Sequence, residues 1–358
     1  MIPKDPELLF RTTLWAGGVD GFHTYRIPSL AVTTSGSLLA FCEGRRTSVG
    51  DSGEVALVVR RSTDGGRSWG DQVVVWGDRG NTCGNPCAVV DRDTGVIWLL
   101  MTWNLGGDDE KAIVAGTSRD TRRVFATRSG DDGVSWSTPI EVTRDVKSPD
   151  WTWFATGPGA GIRLQRGARA GRLVIPCDHV EAGTRRCFSH VIVSDDHGEH
   201  WRCGGRTPRD RVNECEAVEL SGGELLLNMR NYDSALRARQ VSTSTDAGET
   251  WGPLRSDPVL VEPICQASIR RANRQARDVL VFSNPASTAR RENMTVRTSL
   301  DGGRTWPGRR TLHAGPSAYS CLAALPDGGM AILYEAGRES PYEGIAFARF
   351  GLEWITGT

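Results

Sequence analysis

An eight-residue pattern, Ser-x-Asp-x-Gly-x-x-Trp, occurs five times in this 358-residue chain and constrains its fold more than any other feature. The copies keep their four defining residues at the same offsets and begin at Ser62, Ser129, Ser194, Ser244 and Ser299. Their starts are 67, 65, 50 and 55 residues apart. Self-similarity on this scale is typical of a repeat architecture, in which each repeat is one supersecondary unit.

Each copy has the chemistry of a tight turn between two strands. Asp and Ser side chains hydrogen-bond to nearby backbone groups, Gly allows a positive φ, and Trp can pack back over the turn. Short β-rich runs precede the copies, for example residues 55–59, 189–193 and 295–298. We therefore interpret the repeated Asp and Trp residues as parts of the scaffold and not of a functional site.

A repeat of roughly 50–65 residues with about four strands has the size of a propeller blade. The sequence predicts an all-β fold, a six-bladed β-propeller formed by residues 1–358 as one domain, with residues 1–20 as an N-terminal extension. Five boxes fit six blades if the blade at residues 311–350 lacks one. We expect an early strand at residues 25–31 or 38–43 to close that blade.

Charge and hydropathy narrow the range of partners. The chain has 43 basic and 43 acidic side chains, so nothing in its charge predicts binding to nucleic acid or to an anionic membrane. No apolar stretch approaches the ~20 residues that span a bilayer. The first ten residues are acidic and contain proline, which is not a signal-peptide pattern. We expect a protein that stays inside the cell or one whose export segment has been removed, and oligomeric state stays open.

The nine cysteines have no framework spacing, and most lie in strand-like apolar context where a buried thiol is expected. Cys83 and Cys87 are close together, but no second pair or histidine completes a zinc site. A disulfide between Cys83 and Cys87, or between Cys203 and Cys215, stays possible. No glycine-rich strand-turn-helix indicates a nucleotide, so we expect neither a metal nor a cofactor.

Arginine provides all but three of the basic residues, so a single arginine means little without its neighbours. Residues 25–28 read Tyr-Arg-Ile-Pro and lie upstream of the repeated boxes. This combination resembles the retaining exo-α-sialidases (neuraminidases). The resemblance implies a sialylated glycan as substrate, and it makes Arg26 the first of three arginines that bind the substrate carboxylate.

Further segments resemble the same family in the family's order, from about residue 25 to residue 350. Residues 40–46 and 51–54 resemble the segments that supply an arginine lining the site and an acid/base aspartate. The resemblance assigns these roles to Arg45, with Arg46 as the alternative, and to Asp51.

Residues 213–220 resemble the segment whose glutamate activates the nucleophile, here Glu214 or, as the alternative, Glu216. Residues 225–231 resemble the strand that carries the second carboxylate-binding arginine, Arg230. The third arginine is assigned to Arg291, with the adjacent Arg290 as the alternative. In the same way the resemblance makes Tyr319 the nucleophile and Glu335 the partner of Arg26.

The chemistry of a sialic acid explains these residue types. Arginine forms bidentate contacts with a carboxylate and keeps its charge, unlike the point charge of lysine. A neutral tyrosine approaches an anionic sugar without the repulsion that a carboxylate nucleophile would meet, and sialidases are a known exception of this kind among glycosidases. Because free tyrosine has a pKa near 10, Tyr319 needs Glu214 to take its proton. Asp51 acts as acid and then as base, and we expect partial desolvation to raise its pKa when its loop closes.

Other candidates are less specific. Asn85, Trp151 and Trp153 lie in segments that should reach the rim of the site, whereas His23 and His179 are expected to be structural. Three functional alternatives stay open: action on a related ulosonic acid such as the deaminated sugar, transfer of the sugar instead of hydrolysis, and a non-catalytic binding module. Asp boxes alone would fit the last of these equally well.

Overall fold

The computed structural model describes residues 10–274 and 277–356, which form an all-β architecture with three short helices. Within these ranges no helix has the length and apolar character needed to cross a membrane. The strands fall into six antiparallel groups that follow one another along the chain. The chain begins with β1 (Phe10–Ala16), which belongs to the last group.

The first two groups form one sheet. The first group consists of β2 (Thr24–Val32), β3 (Leu38–Arg45), β4 (Val55–Ser62) and β5 (Val73–Gly77). The second consists of β6 (Thr82–Val90), β7 (Ile97–Asn104), β8 (Arg123–Ser129) and β9 (Ile140–Glu141), with helix α1 (Glu110–Ala115) between β7 and β8. Helix α2 (Thr143–Val146) follows this group.

The third and fourth groups are separate sheets. The third contains β10 (Trp151–Thr156), β12 (Ile162–Arg163), β13 (Leu173–Glu181), β14 (Cys187–Ser194) and β15 (Arg202–Arg206). Between β10 and β12, β11 (Gly159–Ala160) pairs in parallel with β6 of the second group. The fourth contains β16 (Val212–Glu219), β17 (Leu225–Asn231), β18 (Ala238–Ser244) and β19 (Arg255–Val261).

The fifth and sixth groups share one long strand. The fifth contains β20 (Ser268–Arg274), β21 (Arg277–Pro285), β22 (Glu292–Ser299) and the first part of β23 (Gly308–Ala324). The sixth contains the second part of β23, β24 (Met330–Ala336), β25 (Gly344–Phe350) and β1, and helix α3 (Leu352–Thr356) follows β25. The pairing of β1 with β25 runs from Phe10 opposite Arg349 to Ala16 opposite Gly344.

This pairing corrects the expected position of the closing strand. Residues 25–31 and 38–43 lie in β2 and β3 of the first group, and residues 10–16 complete the sixth. The expected N-terminal extension, residues 1–20, therefore contains a strand of the sixth group. Its own Phe-Arg-Thr-Thr-Leu-Trp run is rich in strand-forming residues and fits the free edge of β25.

The five boxes all lie at the turn between the third and fourth strands of a group. In the first copy the Ser62 hydroxyl donates to Asp64 (2.8 Å) and accepts from the Gly66 N–H (2.9 Å). Asp64 also accepts from the Ser68 N–H at 2.9 Å. The other four copies repeat the bond from serine to aspartate and the bond from the glycine N–H. The boxes are therefore structural, as predicted.

Six apolar clusters fill the spaces between the groups. One lies between the first and second groups, and the others follow in order around to the sixth, which packs against the first. The first strands of neighbouring groups also pack against one another, including β2 against β23. This arrangement is consistent with a β-propeller.

Strand direction separates the two ends of the molecule. Because the strands in a group are antiparallel, each group has three features at one end of the molecule. These are the start of its first strand, the end of its second strand and the loop from the second strand to the third. The turn from third to fourth, where the boxes lie, is at the other end. Arg26, Glu214 and Tyr319 are near the starts of first strands, and Arg230 and Glu335 are near the ends of second strands.

Candidate active site

A polar cleft of about 690 Å³, partly open to solvent, lies at the end of the molecule opposite the boxes. Seven of the eight residues assigned by the motifs line it, and Glu335 lies directly behind one of them. The seven are Arg26, Arg45, Asp51, Glu214, Arg230, Arg291 and Tyr319. They come from four of the six groups, so the fold brings together positions that are up to 293 residues apart.

The three predicted carboxylate-binding arginines lie around Tyr319. The guanidinium carbons of Arg26 and Arg291 are 5.2 and 5.4 Å from its ring centroid, and Nη1 of Arg230 donates to its hydroxyl at 3.0 Å. Arg291 also donates to the Tyr342 hydroxyl at 2.8 Å. Among the described residues, Nη2 of Arg26 and Nε of Arg230 are buried without a hydrogen-bond partner. Such donors are costly to leave unpaired, and a bound anion would satisfy them.

Glu335 is fully buried and connects Arg26 with the tyrosine. Its Oε1 accepts from Nε of Arg26 at 3.1 Å and from the Ile27 N–H at 2.9 Å. Its Oε2 accepts from the Tyr319 N–H at 3.1 Å. The carboxylate thus provides a counter-charge for Arg26 and holds the backbone that carries Tyr319.

Tyr319 and Glu214 form the shortest of these contacts. The phenol donates to Oε1 of Glu214 at 2.5 Å, and Oε2 of Glu214 accepts from Arg230 at 2.6 Å. Burial raises the pKa of Tyr319 well above its usual value, and the Glu214 carboxylate raises it further against the opposing arginines. The phenol is therefore protonated at neutral pH and has a base in contact with its proton.

Asp51 lies at the mouth of the cleft, with a side chain that is 62 % exposed. Its Oδ1 is 2.7 Å from Arg45 and 3.3 Å from Arg26. Partial burial raises the pKa of Asp51, but Arg45 and Arg26 outweigh it and the net pKa is below the usual value. In this conformation the pairing with two arginines keeps the pKa low, and the rise expected on closure of the loop stays a prediction. Glu43 in turn accepts from Arg45 at 2.6 Å and fixes its orientation.

The three alternatives that the motifs left open do not line the cleft; they are Arg46, Glu216 and Arg290. Arg46 stacks on Phe22 with its side chain 42 % exposed, and Arg290 is 80 % exposed beside Glu292. Glu216 is fully buried and accepts hydrogen bonds from three groups that include the Ser268 hydroxyl at 2.8 Å. It therefore lies away from the phenol, in the packing between strands.

The opposite wall contains residues that the motifs did not identify. Arg122 is buried, its guanidinium carbon lies 3.9 Å from the ring centroid of Trp153, and it donates to Thr102 and Asn104 at 2.9 and 3.2 Å. It also donates to Asn85 Oδ1. No local pattern distinguishes Arg122 among so many arginines. Of the two candidate tryptophans, Trp153 lines the cleft.

Two further carboxyl groups belong to this wall, Glu110 on α1 and Asp178 on β13. Burial raises the pKa of Asp178 well above its usual range, and Glu214 and Glu110 raise it further. Burial also raises the pKa of Glu110. Asp178 lies near the end of a second strand, like Arg230 and Glu335, so strand position is the signal that could have found it.

The remaining candidates pack in the interior or on the surface. Trp151 stacks on His179 with ring centroids 3.5 Å apart, and His179 contacts His190 through Nδ1 atoms 3.0 Å apart. His23 contacts the Thr24 hydroxyl at 2.6 Å. All nine cysteines lie in the described ranges, and none is paired, so neither of the two possible disulfides is present.

Comparison with known proteins identifies the family. A family model described as a BNR repeat-like domain matches residues 36–332. A sialidase of Micromonospora viridifaciens is 38 % identical over 99 % of this chain and 56 % of its own length. A sialidase of Bacteroides fragilis is 33 % identical over 89 % of this chain and 61 % of its own length. The chain belongs to the sialidase family.

A solved sialidase structure agrees with this assignment. The Hadza microbial sialidase Hz136 is 34 % identical and superposes with a TM-score of 0.87, covering 97 % of this chain and 69 % of that one. The sialidase family that the motifs predicted is therefore confirmed. This chain spans less than two thirds of the length of the two bacterial sialidases.

Proposed function

We propose that this chain is an exo-α-sialidase, a glycoside hydrolase that releases terminal α-linked sialic acid from glycans with retention of configuration. One observation carries the proposal: a buried tyrosine hydroxyl donates to Glu214 at 2.5 Å amid three arginines. We also propose that the six strand groups are six propeller blades around a central axis. The six apolar layers that join successive groups support this proposal.

The substrate carboxylate would bind between Arg26, Arg230 and Arg291. Buried N–H groups of Arg26 and Arg230 have no partner among the described residues, and a carboxylate accepts two parallel bonds from such a fork. The counter-charge from Glu335 reduces repulsion between the arginines before substrate arrives. This explains why several cations can be buried around one small site.

In the first step, Tyr319 Oη would attack the anomeric carbon while its proton passes to Glu214. The bond from the anomeric carbon to the leaving oxygen breaks, and Asp51 gives that oxygen a proton. In the second step Asp51 removes a proton from water, water attacks the anomeric carbon, and the phenol leaves with the proton from Glu214. Two inversions give net retention. A protonated phenol with a carboxylate acceptor at 2.5 Å suits this sequence.

The acid role of Asp51 requires a change from the pairing described above. Its contact with Arg26 at 3.3 Å occupies an arginine that the substrate carboxylate would also use. When the substrate takes Arg26, Asp51 loses part of the positive charge that lowers its pKa. Substrate binding would thus raise the pKa of Asp51 and prepare it as the acid. The basic limb of kcat, which reports Asp51 in the substrate complex, should then lie at higher pH than the basic limb of kcat/KM, which reports the free enzyme, and equal limbs would contradict the coupling.

A fluorogenic α-sialoside tests the function directly. We expect Tyr319→Phe to lower kcat by at least about 10³-fold, the scale on which nucleophile removal acts in hydrolases. Tyr334→Phe is the matched control, because this buried tyrosine packs in an apolar cluster and does not line the cleft. NMR of the first sugar released should show the α-anomer. If the intact protein hydrolyses no ulosonoside, the binding-module alternative is favoured, and if Tyr319→Phe keeps full activity the tyrosine mechanism is refuted.

A further inference from the structure

The wall of the cleft that contains Arg122 and Trp153 also contains a buried acid with no role in the steps above. Asp178 is 1 % exposed, lines the cleft, and its Oδ1 has no hydrogen-bond partner among the described residues. It lies on β13 in the third group, on the far side of the cleft from Tyr319 in the sixth. Buried polar atoms in native proteins usually have a hydrogen-bond partner, and one that lines a cleft without a partner can be satisfied by a bound ligand.

The groups around Asp178 explain which protonation state it holds. The charged side chains that face it are Glu214 and Glu110, which disfavour a second negative charge, and Arg122 and Arg230, which favour it. Both arginines are already engaged, Arg230 with Glu214 at 2.6 Å and Arg122 with neutral oxygens. Burial and the two acids outweigh the arginines and raise the pKa of Asp178, which favours the protonated form that has an O–H to donate.

We propose that Asp178 is a specificity-determining residue that donates a hydrogen bond to an oxygen of the sugar substituents remote from the substrate carboxylate. This inference rests on the proposed function. In an ulosonic acid C5 lies across the ring from the anomeric carbon, and the C7–C9 chain is attached at C6, next to C5. With the carboxylate between the arginines, the C5 substituent and the end of this chain would extend away from the arginines, toward the part of the cleft that Asp178 lines.

The neighbours of Asp178 suit an oxygen acceptor. Arg122 has a buried Nε without a partner among the described residues. Oδ1 of Asn85 accepts hydrogen bonds from Arg122 and from the Thr102 hydroxyl, the latter at 3.2 Å. The NH₂ group of Asn85 is therefore the part of this side chain available to a ligand. The face of Trp153 is covered by Arg122, so the wall offers little carbon surface. Donors therefore dominate this side of the cleft.

Paired substitutions separate a neutral donor from a charged acid. Asp178→Asn keeps the shape and a donor, so we expect kcat/KM within about threefold of the wild type. Asp178→Leu removes the donor and should lower kcat/KM by about tenfold to a hundredfold, mainly through KM. Asp257→Asn is the control: this buried aspartate on β19 binds Trp306 at 3.0 Å, outside the cleft, and should leave the kinetics unchanged.

Two measurements make the test decisive. The Asp178→Leu loss should disappear with a sialoside that lacks either the C5 substituent oxygen or the C7–C9 chain. The infrared band of a protonated carboxyl group should be present in the wild type and Asp257→Asn at neutral pH, and reduced in Asp178→Asn. The inference would be overturned if Asp178→Asn and Asp178→Leu lowered kcat/KM equally, or if the loss in Asp178→Leu persisted with both shortened substrates. Absence of the infrared band of a protonated carboxyl group from the wild type would also overturn it. If the wild type hydrolyses no ulosonoside, the proposed function itself fails.

Discussion

Replacing Glu335 by glutamine should strongly destabilise the protein, although the two side chains have the same shape. Glu335 accepts three hydrogen bonds through two oxygens, from Arg26, Ile27 and Tyr319. Glutamine replaces one oxygen with an NH₂ group, so at least one buried N–H would face another donor. Arg26 would also lose the buried partner of its charge, since its other contact is the exposed Asp51.

The expected magnitude follows from these losses. Removing one partner of a buried ion pair costs about 3–5 kcal/mol, because the remaining charge is left in a poorly solvated place. Folded proteins are stable by only about 5–15 kcal/mol, so the change is a large fraction of the total. Urea unfolding at pH 7 measures it as a lower midpoint with an unchanged slope.

An exposed glutamate provides the control. Glu224 is exposed at the turn between β16 and β17. The substitution Glu224→Gln should therefore change the free energy of unfolding by less than about 0.5 kcal/mol. A loss below about 1 kcal/mol for Glu335→Gln would refute the reasoning, because it would mean that Arg26 finds other compensation. A sialic acid analogue that carries the carboxylate should restore part of the lost stability by binding the freed arginine.

Three further predictions concern the arginines, the boxes and a buried lysine. Arg291→Ala should weaken binding of a carboxylate-bearing sialoside far more than that of its neutral amide, whereas Arg290→Ala should affect neither; equal losses for both ligands would contradict the assignment. Gly66→Ala should cost at least about 1–3 kcal/mol, since φ is +89° and a Cβ atom would lie 2.4 Å from an aromatic carbon. Calorimetry should show a smaller loss for Gly183→Ala, which has positive φ but no atom within 4 Å. Burial lowers the pKa of Lys147 to about 7, so the folded state releases its proton before the unfolded state does. The stability of the wild type relative to Lys147→Met should therefore rise between pH 7 and 10, by up to ~1.4 kcal/mol per pH unit, and a flat difference would refute this.

The repeat pattern predicted the strand groups well because its signal is local. A Ser-Asp-Gly turn depends on contacts within eight residues, so it can be read wherever it occurs. The sixth group has no box, because β25 is followed by α3 and its fourth strand, β1, comes from the other end of the chain. Such a pairing depends on which sheet edge is free, and no local pattern contains that information.

The site was predictable where a motif combined with strand position. Arg291 and Arg290 are neighbours in sequence, and only their orientation in the fold places one in the cleft and the other on the surface. Arg122 could not be singled out from the sequence, because a buried charge among so many arginines is recognisable only from what surrounds it. The lowered pKa of Asp51 in this conformation was not predictable for the same reason: it depends on Arg26 and Arg45, which the fold brings within 3.3 and 2.7 Å of its carboxylate.

The separation between boxes and site follows from strand direction and has a consequence for how the chain tolerates change. A box ends the third strand of its group, and the third strand runs away from the cleft like the first. The catalytic candidates occur at first-strand starts, second-strand ends and the loops that follow second strands. A substitution in a box therefore acts on the cleft only through the stability of its strand group. Substitutions near the cleft change chemistry without touching the turns at the other end of the groups, so each end of the molecule can vary with little effect on the other.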